Sequence, residues 1–372
     1  MSYSLATLWH ERNRFLPGVL AVAFSALLIA LQCGLLLGLF SITSIPVDDA
    51  RADIWVGHPN VLSVDLGRPI PSEWLGRVAQ QPDVERAELY LQGFSHWGKP
   101  TGGTQLCMVV GCRLMEGAMG AVKQLTPELR ARLTEPRSVV VDASEIDQLG
   151  IHGVGDYAEV AGNRVRVVGL VNGLKSLAGP YVLCSLSTAR QLLVWLQPDQ
   201  TVYVLARCKP GVDPAGVVTK LCSYPNMSAF TREEFSLRSR MHWLTKTKAG
   251  IALGLAAVLG LMVGAVVTSQ TLYAATVASL REYAVLRALG IPRWRMALSV
   301  LAQSFWVGVA GVALALPTAA VLARLGDGLG AKVLLPGWLV ALAIGITMLM
   351  AMLSGLAALR SLRLVEPAVL LR

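Results

Sequence analysis

Four stretches of this chain contain no Asp, Glu, Lys or Arg: Pro17 to Phe40, Ala249 to Leu280, Met296 to Ala323 and Val333 to Leu359. Each exceeds the ~20 apolar residues that carry a helix across a hydrocarbon core of ~30 Å. Buried helices of soluble proteins are amphipathic and usually shorter, so the pattern predicts four membrane spans. Composition agrees, with 54% hydrophobic and only 15% charged residues, against roughly 25% charged in soluble domains. The spans are expected at 16–44, 249–279, 296–325 and 333–359. The first is too long for a signal-peptide core of about 7 to 15 residues and reads as uncleaved.

Orientation follows from the flanking cations. Arg12 and Arg14 precede the first span, Arg281, Arg287, Arg293 and Arg295 lie between the second and third, and Arg360, Arg363 and Arg372 follow the fourth. Their only acidic company is Glu11, Glu282 and Glu366. The positive-inside rule therefore places these segments, namely an N-terminal helix 1–15, a loop 280–295 and a tail 360–372, in the cytoplasm. Residues 326–332 become a short outer loop. The chain is expected in the inner (cytoplasmic) membrane, with both termini cytoplasmic and lipid around its spans.

Residues 45–245 then lie outside. They hold 20 acidic and 20 basic residues, so the chain's +9 charge belongs to its membrane flanks. With no basic stripe interleaved with aromatics, a nucleic-acid partner is not expected. Strand patterns at 53–57 and 84–92 flank a helix starting near Pro71 and Ser72, 104–112 is a further strand, and 201–208 leads into a helix at 213–222. Short Val-rich strands at 138–142, 157–160, 164–171 and 181–184 predict a β-rich insert at about 136–198. The fold class is thus a membrane α-helical protein with a large α+β extracytoplasmic domain between its first and second spans. Thr231 and Glu234 form a capping-box pair, with no proline from there to Pro292. A stalk helix at about 231–248, standing about 27 Å clear of the bilayer at 1.5 Å per residue, is expected to run unbroken into the second span, the alternative being a short helix with a break before the membrane at Gly250. Leu237, Met241 and Leu244 give it an apolar seam.

The spans lack ionisable residues at their centres, which a proton relay or intramembrane protease needs. Gln32, Gln270 and Gln303 read as interhelical packing groups. The Gly-rich 326–332 segment lacks the Gly-Lys-Ser/Thr ending of a phosphate-binding loop, so ATP hydrolysis is expected on another chain. His10, His58, His96, His152 and His242 are dispersed, and no metal site or catalytic residue is expected. Cys107, Cys112, Cys184, Cys208 and Cys222 fall in the outer segment, where an odd number leaves at least one unpaired. Gly34 and Gly38, Gly250 and Gly254, and Gly260 and Gly264 repeat at the spacing that lets helices approach closely; dimer contacts and packing within the chain both use it.

The loop Ser279-Leu-Arg-Glu-Tyr-Ala-Val-Leu-Arg-Ala-Leu-Gly-Ile-Pro-Arg-Trp-Arg-Met296 is a short amphipathic helix ended by Gly290 and Pro292. Tyr283, Leu286 and Leu289 can face a partner or the membrane. Taken alone, its arginines favour an interfacial anchor.

The run Arg281-Glu282-Tyr-Ala-Val-Leu-Arg287-Ala-Leu-Gly290 resembles the RE-x-x-x-x-R-A-x-G segment of MacB/FtsX-type (type VII) ABC transporter permeases. Ala357-Ala-Leu-Arg-Ser-Leu-Arg-Leu-Val-Glu-Pro367-Ala-Val-Leu370 is similar to that family's closing motif, with Ser361 and Val369 where Ala is usual. The order of one span, a large outer domain and three spans is similar too, and the segment Ala52 to Val56 looks most like the DevC-like exporter branch. The resemblance implies a homodimeric permease without ATPase activity, paired with cytoplasmic ABC ATPase subunits that hold ATP and Mg, and moving its outer domain by mechanotransmission. Arg281, Glu282, Leu286, Arg287 and Gly290 would contact the ATPase. The expected activity is export with a periplasmic adaptor and an outer-membrane duct. Lipoprotein release, and a signalling scaffold for a cell-wall hydrolase, are the alternatives.

Overall fold

A computed structural model of the chain describes residues 12–176, 179–278, 292–328 and 332–364. They divide into a helical unit, the described residues up to 39 and from 248 onward, and an outer unit, the described residues between 40 and 247.

The helical unit contains most of α1 (Arg12–Thr43) and three more long helices, α9 (Lys248–Ala278), α10 (Arg293–Gly328) and α11 (Gly337–Leu364). Within these, Phe15–Thr43, Lys248–Thr271, Ala297–Gly326 and Gly337–Leu356 are long and apolar enough to cross a membrane. With little hydrophobic force between helices in lipid, close packing and side-chain hydrogen bonds hold them. Ser25 on α1 is fully buried, donates to the Gly264 carbonyl of α9 at 3.0 Å and meets Thr268 Oγ1 at 2.9 Å. Gly260 rests on Gln32 and Gly264 on Ser25, while Gly308 and Gly311 of α10 take Met348 and Val22.

Gly34 and Gly38 do something the repeat did not reveal. They receive the non-helical segment leading into α11: the Gly34 carbonyl accepts from Leu334 N at 3.0 Å, and a Cβ at Gly38 would fall on the Lys332 carbonyl. Non-helical backbone next to lipid is tolerable only when its polar groups are covered, and these glycines let α1 cover it. Gly38→Val is therefore expected to push this segment away and lower the midpoint of thermal unfolding in detergent by several degrees, as for a loss of about 2–3 kcal/mol. An unshifted midpoint would show that the segment does not depend on α1.

The first helix wholly within the outer unit is α2 (Ile45–Asp49). Its first half is a four-stranded antiparallel sheet in the order β11-β1-β10-β3, from β1 (Ile54–Gly57), β3 (Val84–Gly98), β10 (Tyr203–Cys208) and β11 (Ser228–Thr231). The helices α3 (Trp74–Ala79) and α7 (Pro214–Leu221) connect them, making a split βαβ arrangement. Trp74, Val78, Val217 and Leu221 pack with Ile54, Val56, Val204 and Ala206 on one face. The small pair β2 (Ile70–Pro71) and β9 (Gln200–Thr201) lies beside it.

The second half is a closed barrel. β3 continues past Tyr90 to pair with β4 (Thr104–Cys112), and the sheet proceeds through β8 (Tyr181–Ser185), β5 (Ser138–Asp142), β7 (Asn163–Val171) and β6 (Tyr157–Val160). Trp97 and Gly98 at the end of β3 pair with Val160 and Glu159 of β6 and close the ring. The β4–β8 and β5–β7 pairs are parallel, the rest antiparallel. The β-rich subdomain therefore starts earlier than residue 136, because β3 and β4 are among its staves. Three short helices are attached: α4 (Pro127–Arg132), α5 (Ile146–Leu149), and α6 (Leu186–Leu192), which approaches β4 at Gly111, where a Cβ would strike Ala189.

The last element is α8 (Arg232–Lys246). The expected unbroken helix does not form. Thr247 is extended (φ −98°, ψ 146°), and α9 starts one residue later. The Thr247 hydroxyl bonds the Trp243 carbonyl, satisfying a group that the break would otherwise free.

Candidate functional site

The candidate site is a clamp built on α8. Thr231 accepts from Glu234 N at 3.2 Å, and Glu233 and Glu234 occupy the first turn, where the helix dipole favours carboxylates. Arg232, Ser236 and Arg240 recur every four residues and so share one face. Ser236 Oγ donates to Asp48 Oδ1 at 2.7 Å, and Arg240 Nη2 meets Asp48 Oδ2 at 2.6 Å while its Nε donates to Ser44 Oγ at 2.8 Å. Ser44 in turn donates to Asp48 Oδ2 at 2.6 Å, and Arg232 donates to the Asp48 main-chain carbonyl. Four side chains thus converge on α2, the direct continuation of α1.

A second set lies beside the turn Ser63 to Leu66. Trp243 Nε1 donates to Asp65 Oδ2 at 2.9 Å, Val64 N donates to Ser239 Oγ at 3.0 Å, and Arg238 Nε donates to the Val61 carbonyl at 3.0 Å. Asp65 Oδ1 accepts from Ser63. Between the two sets Phe235 is fully buried, with ring centroids 5.6 Å from Trp55 and from Tyr203, and it stacks on Phe230 at 5.1 Å. The opposite face of α8 leaves Leu237 and Met241 exposed.

The two carboxylates differ electrostatically. Burial alone would raise Asp48, but hydrogen bonds from Ser44, Ser236 and Arg240, with the Arg240 charge, outweigh it and hold the group below its ordinary value. Burial raises Asp65, and its Ser63 and Trp243 bonds offset this only in part. A depressed carboxyl adds stability that is complete above the unfolded-state value of about 3.9 and is lost as pH falls through the folded value. A raised one costs stability above its folded value and is relieved on acidification. Asp48→Asn keeps the shape and removes the charge. Since the Asp48–Arg240 pair is about one-third exposed, we expect a loss of about 1–2 kcal/mol at neutral pH, shrinking only below about pH 4. Denaturant unfolding of both chains across pH checks this; equal stability at pH 7 would remove the electrostatic part of the clamp.

Arg281, Glu282, Leu286, Arg287 and Gly290 lie outside the described residues. Gly34, Gly38, Gly260 and Gly264 face neighbours within the chain, Gly250 is buried and Gly254 half-buried. The cysteines are free thiols, and burial pushes Cys107 and Cys112 up to about 12. Among the described residues no group of three or more His, Cys, Asp or Glu is placed to hold a metal. What sequence reasoning missed is the clamp. Its signal was the stripe Arg232, Ser236, Arg240 opposite the Leu237–Met241 seam; nothing marked Asp48 as the partner.

Two families match the chain: the MacB-like periplasmic core domain over residues 19–222, and the FtsX-like permease C-terminal over residues 254–367. The chain belongs to the MacB/FtsX-type family of ABC transporter permeases, as a multi-pass membrane subunit. Solved structures with similarity include the periplasmic region of MacB from Actinobacillus actinomycetemcomitans, at 10% identity and TM-score 0.35, covering 50% of this chain and 92% of that one. The extracellular domain of the noncanonic ABC-type transporter YknZ from Gram-positive bacteria shows 8% identity and TM-score 0.32, covering 48% and 99%. A domain of a permease protein from Porphyromonas gingivalis shows 14% identity and TM-score 0.32, covering 56% and 98%. No curated protein sequence matches the chain significantly.

Proposed function

We propose that this chain is the permease subunit of an exporter-like complex in the inner membrane, with cytoplasmic termini, in which a separate ABC ATPase drives movement of the outer unit. The family implies the ATPase partner. The observation that carries the rest is the clamp. The chain enters the outer unit at Phe40 and leaves it at Thr247, and the Ser44–Asp48–Arg240 network joins the segments next to these two passages. A displacement of either passage is therefore delivered to the same packed sheet, since Phe235 fixes α8 to Trp55 and Tyr203. That arrangement suits force transmission rather than chemistry. The segment Arg281 to Gly290 is the proposed ATPase contact, with ATP and Mg held by the partner. Two copies are proposed to pair along the membrane helices, with a periplasmic adaptor and an outer-membrane duct completing the path.

The test is affinity purification of the full chain from native membranes, with identification of co-purifying proteins and an ATP hydrolysis assay. An ATP-binding subunit with an adaptor is the expected result. A peptidoglycan hydrolase in place of the adaptor would favour signalling, and recovery with no ATPase would sink the proposal.

A further inference from the structure

A groove of about 500 Å³ opens on the outer unit between the turn after Asn60 and the barrel. That volume lies within the range of roughly 300–1,000 Å³ typical of small-molecule sites. Leu62, Leu66 and Arg68 form one wall, and Phe94 and Trp195 the other. Leu62 is 49% exposed, Leu66 39% and Trp195 42%, an unusual grouping of large apolar side chains around one opening. The aromatic wall is held in place: Trp195 Nε1 donates to the Phe94 carbonyl at 3.2 Å, and its ring lies where a Cβ on Gly93 would be. Apolar surface kept open in this way is covered by a ligand without first being reorganised.

Charge decides which ligand. Asp65 lines the groove, but both of its oxygens are engaged, by Ser63 and by Trp243. Arg68 is exposed and makes no hydrogen bond or ion pair among the described residues. The open charge at this apolar groove is therefore positive.

We propose that the groove binds a free single-chain anionic amphiphile, its chain against Leu62, Leu66, Phe94 and Trp195 and its acidic group on Arg68. The site needs no ATPase, so it stands or falls apart from the transport reading. The turn forming its wall is the one that α8 holds through Val61, Val64 and Asp65, so the ligand would rest on the clamp.

The probe is a diazirine-bearing dodecanoate, photolysed with the full chain in phosphatidylcholine nanodiscs and mapped by peptide mass spectrometry. Labelling at residues 62–68 and at Phe94 or Trp195, competed by laurate, is the expected result. Dodecanol should compete about tenfold less well, and Arg68→Glu should raise the half-labelling concentration about tenfold or more. Leu62→Gln should weaken labelling several-fold. Both substituted residues are exposed, and an unchanged circular dichroism spectrum confirms folding. Labelling confined to the membrane helices, or equal labelling in Arg68→Glu, overturns the proposal. So does stronger groove labelling by a diazirine phosphatidylcholine, which would make the bilayer the source.

Discussion

Phe235→Ala is expected to release α8 from the sheet it packs on. The Phe235 ring is fully buried against Trp55, Tyr203 and Phe230, so its removal leaves an aromatic-sized cavity at the junction of helix and sheet. Such truncations cost about 3–5 kcal/mol, a large share of the roughly 5–15 kcal/mol that stabilises a domain. The polar contacts on either side cannot compensate, since the Asp48–Arg240 pair is partly exposed. Two measurements check the result: the denaturation midpoint should fall, and trypsin should cut sooner at Arg238, Arg240 and Lys246. A complex that keeps its ATPase rate but loses transport would place the damage in transmission. Wild-type proteolysis and stability would mean that α8 is held by its hydrogen bonds alone.

The second large effect is expected at the other end of the proposed pathway. Arg287→Glu reverses the charge of the central arginine in the Arg281–Gly290 segment, the proposed ATPase contact. Losing a central interface arginine costs about 2 kcal/mol or more, about thirtyfold in affinity. We expect ATPase association and substrate-coupled turnover to fall by that order while membrane insertion and the outer unit stay intact. Co-purification of the ATPase with the variant, alongside a protease pattern for the outer unit, separates these outcomes. Unchanged association would return the arginines to the role of membrane anchors.

The membrane helices were legible because their signal is local: long uncharged runs have few other uses. The short Val-rich strands β5, β6, β7 and β8 were legible for the same reason. The barrel was not, because its closure depends on β3 running on through Gly93, Ser95 and His96, which read as a strand ending near Gln92. The register Trp97↔Val160 joins residues with no local relation. The break at Thr247 was not placed because Lys246-Thr-Lys-Ala-Gly250 contains no proline to mark it, and it shows only in the extended backbone of Thr247 and its side-chain bond to Trp243. The same limit hid the clamp. Arg232, Ser236 and Arg240 announce a polar face, but the choice of Asp48 over other acids is made by the fold. Of the spaced glycines, Gly260 and Gly264 meet α1, whereas Gly34 and Gly38 meet a non-helical segment rather than a helix.

The strand order carries a consequence for how the molecule is made. In the split sheet Ile54 pairs with Ala206 and with Thr231, so the first strand to be synthesised waits for the last two. The barrel can close by itself earlier, once β8 has emerged, whereas the sheet that anchors α8 cannot. Pairings of such long sequence separation form slowly, since the loop must be ordered before its contacts repay the entropy. The clamp residues of α8 come after every strand in synthesis, and Phe235 has no surface to dock on until β1, β10 and β11 are side by side. Docking of α8 is thereby expected to come last, so that the Asp48–Arg240 network forms only once the strands beneath it are paired.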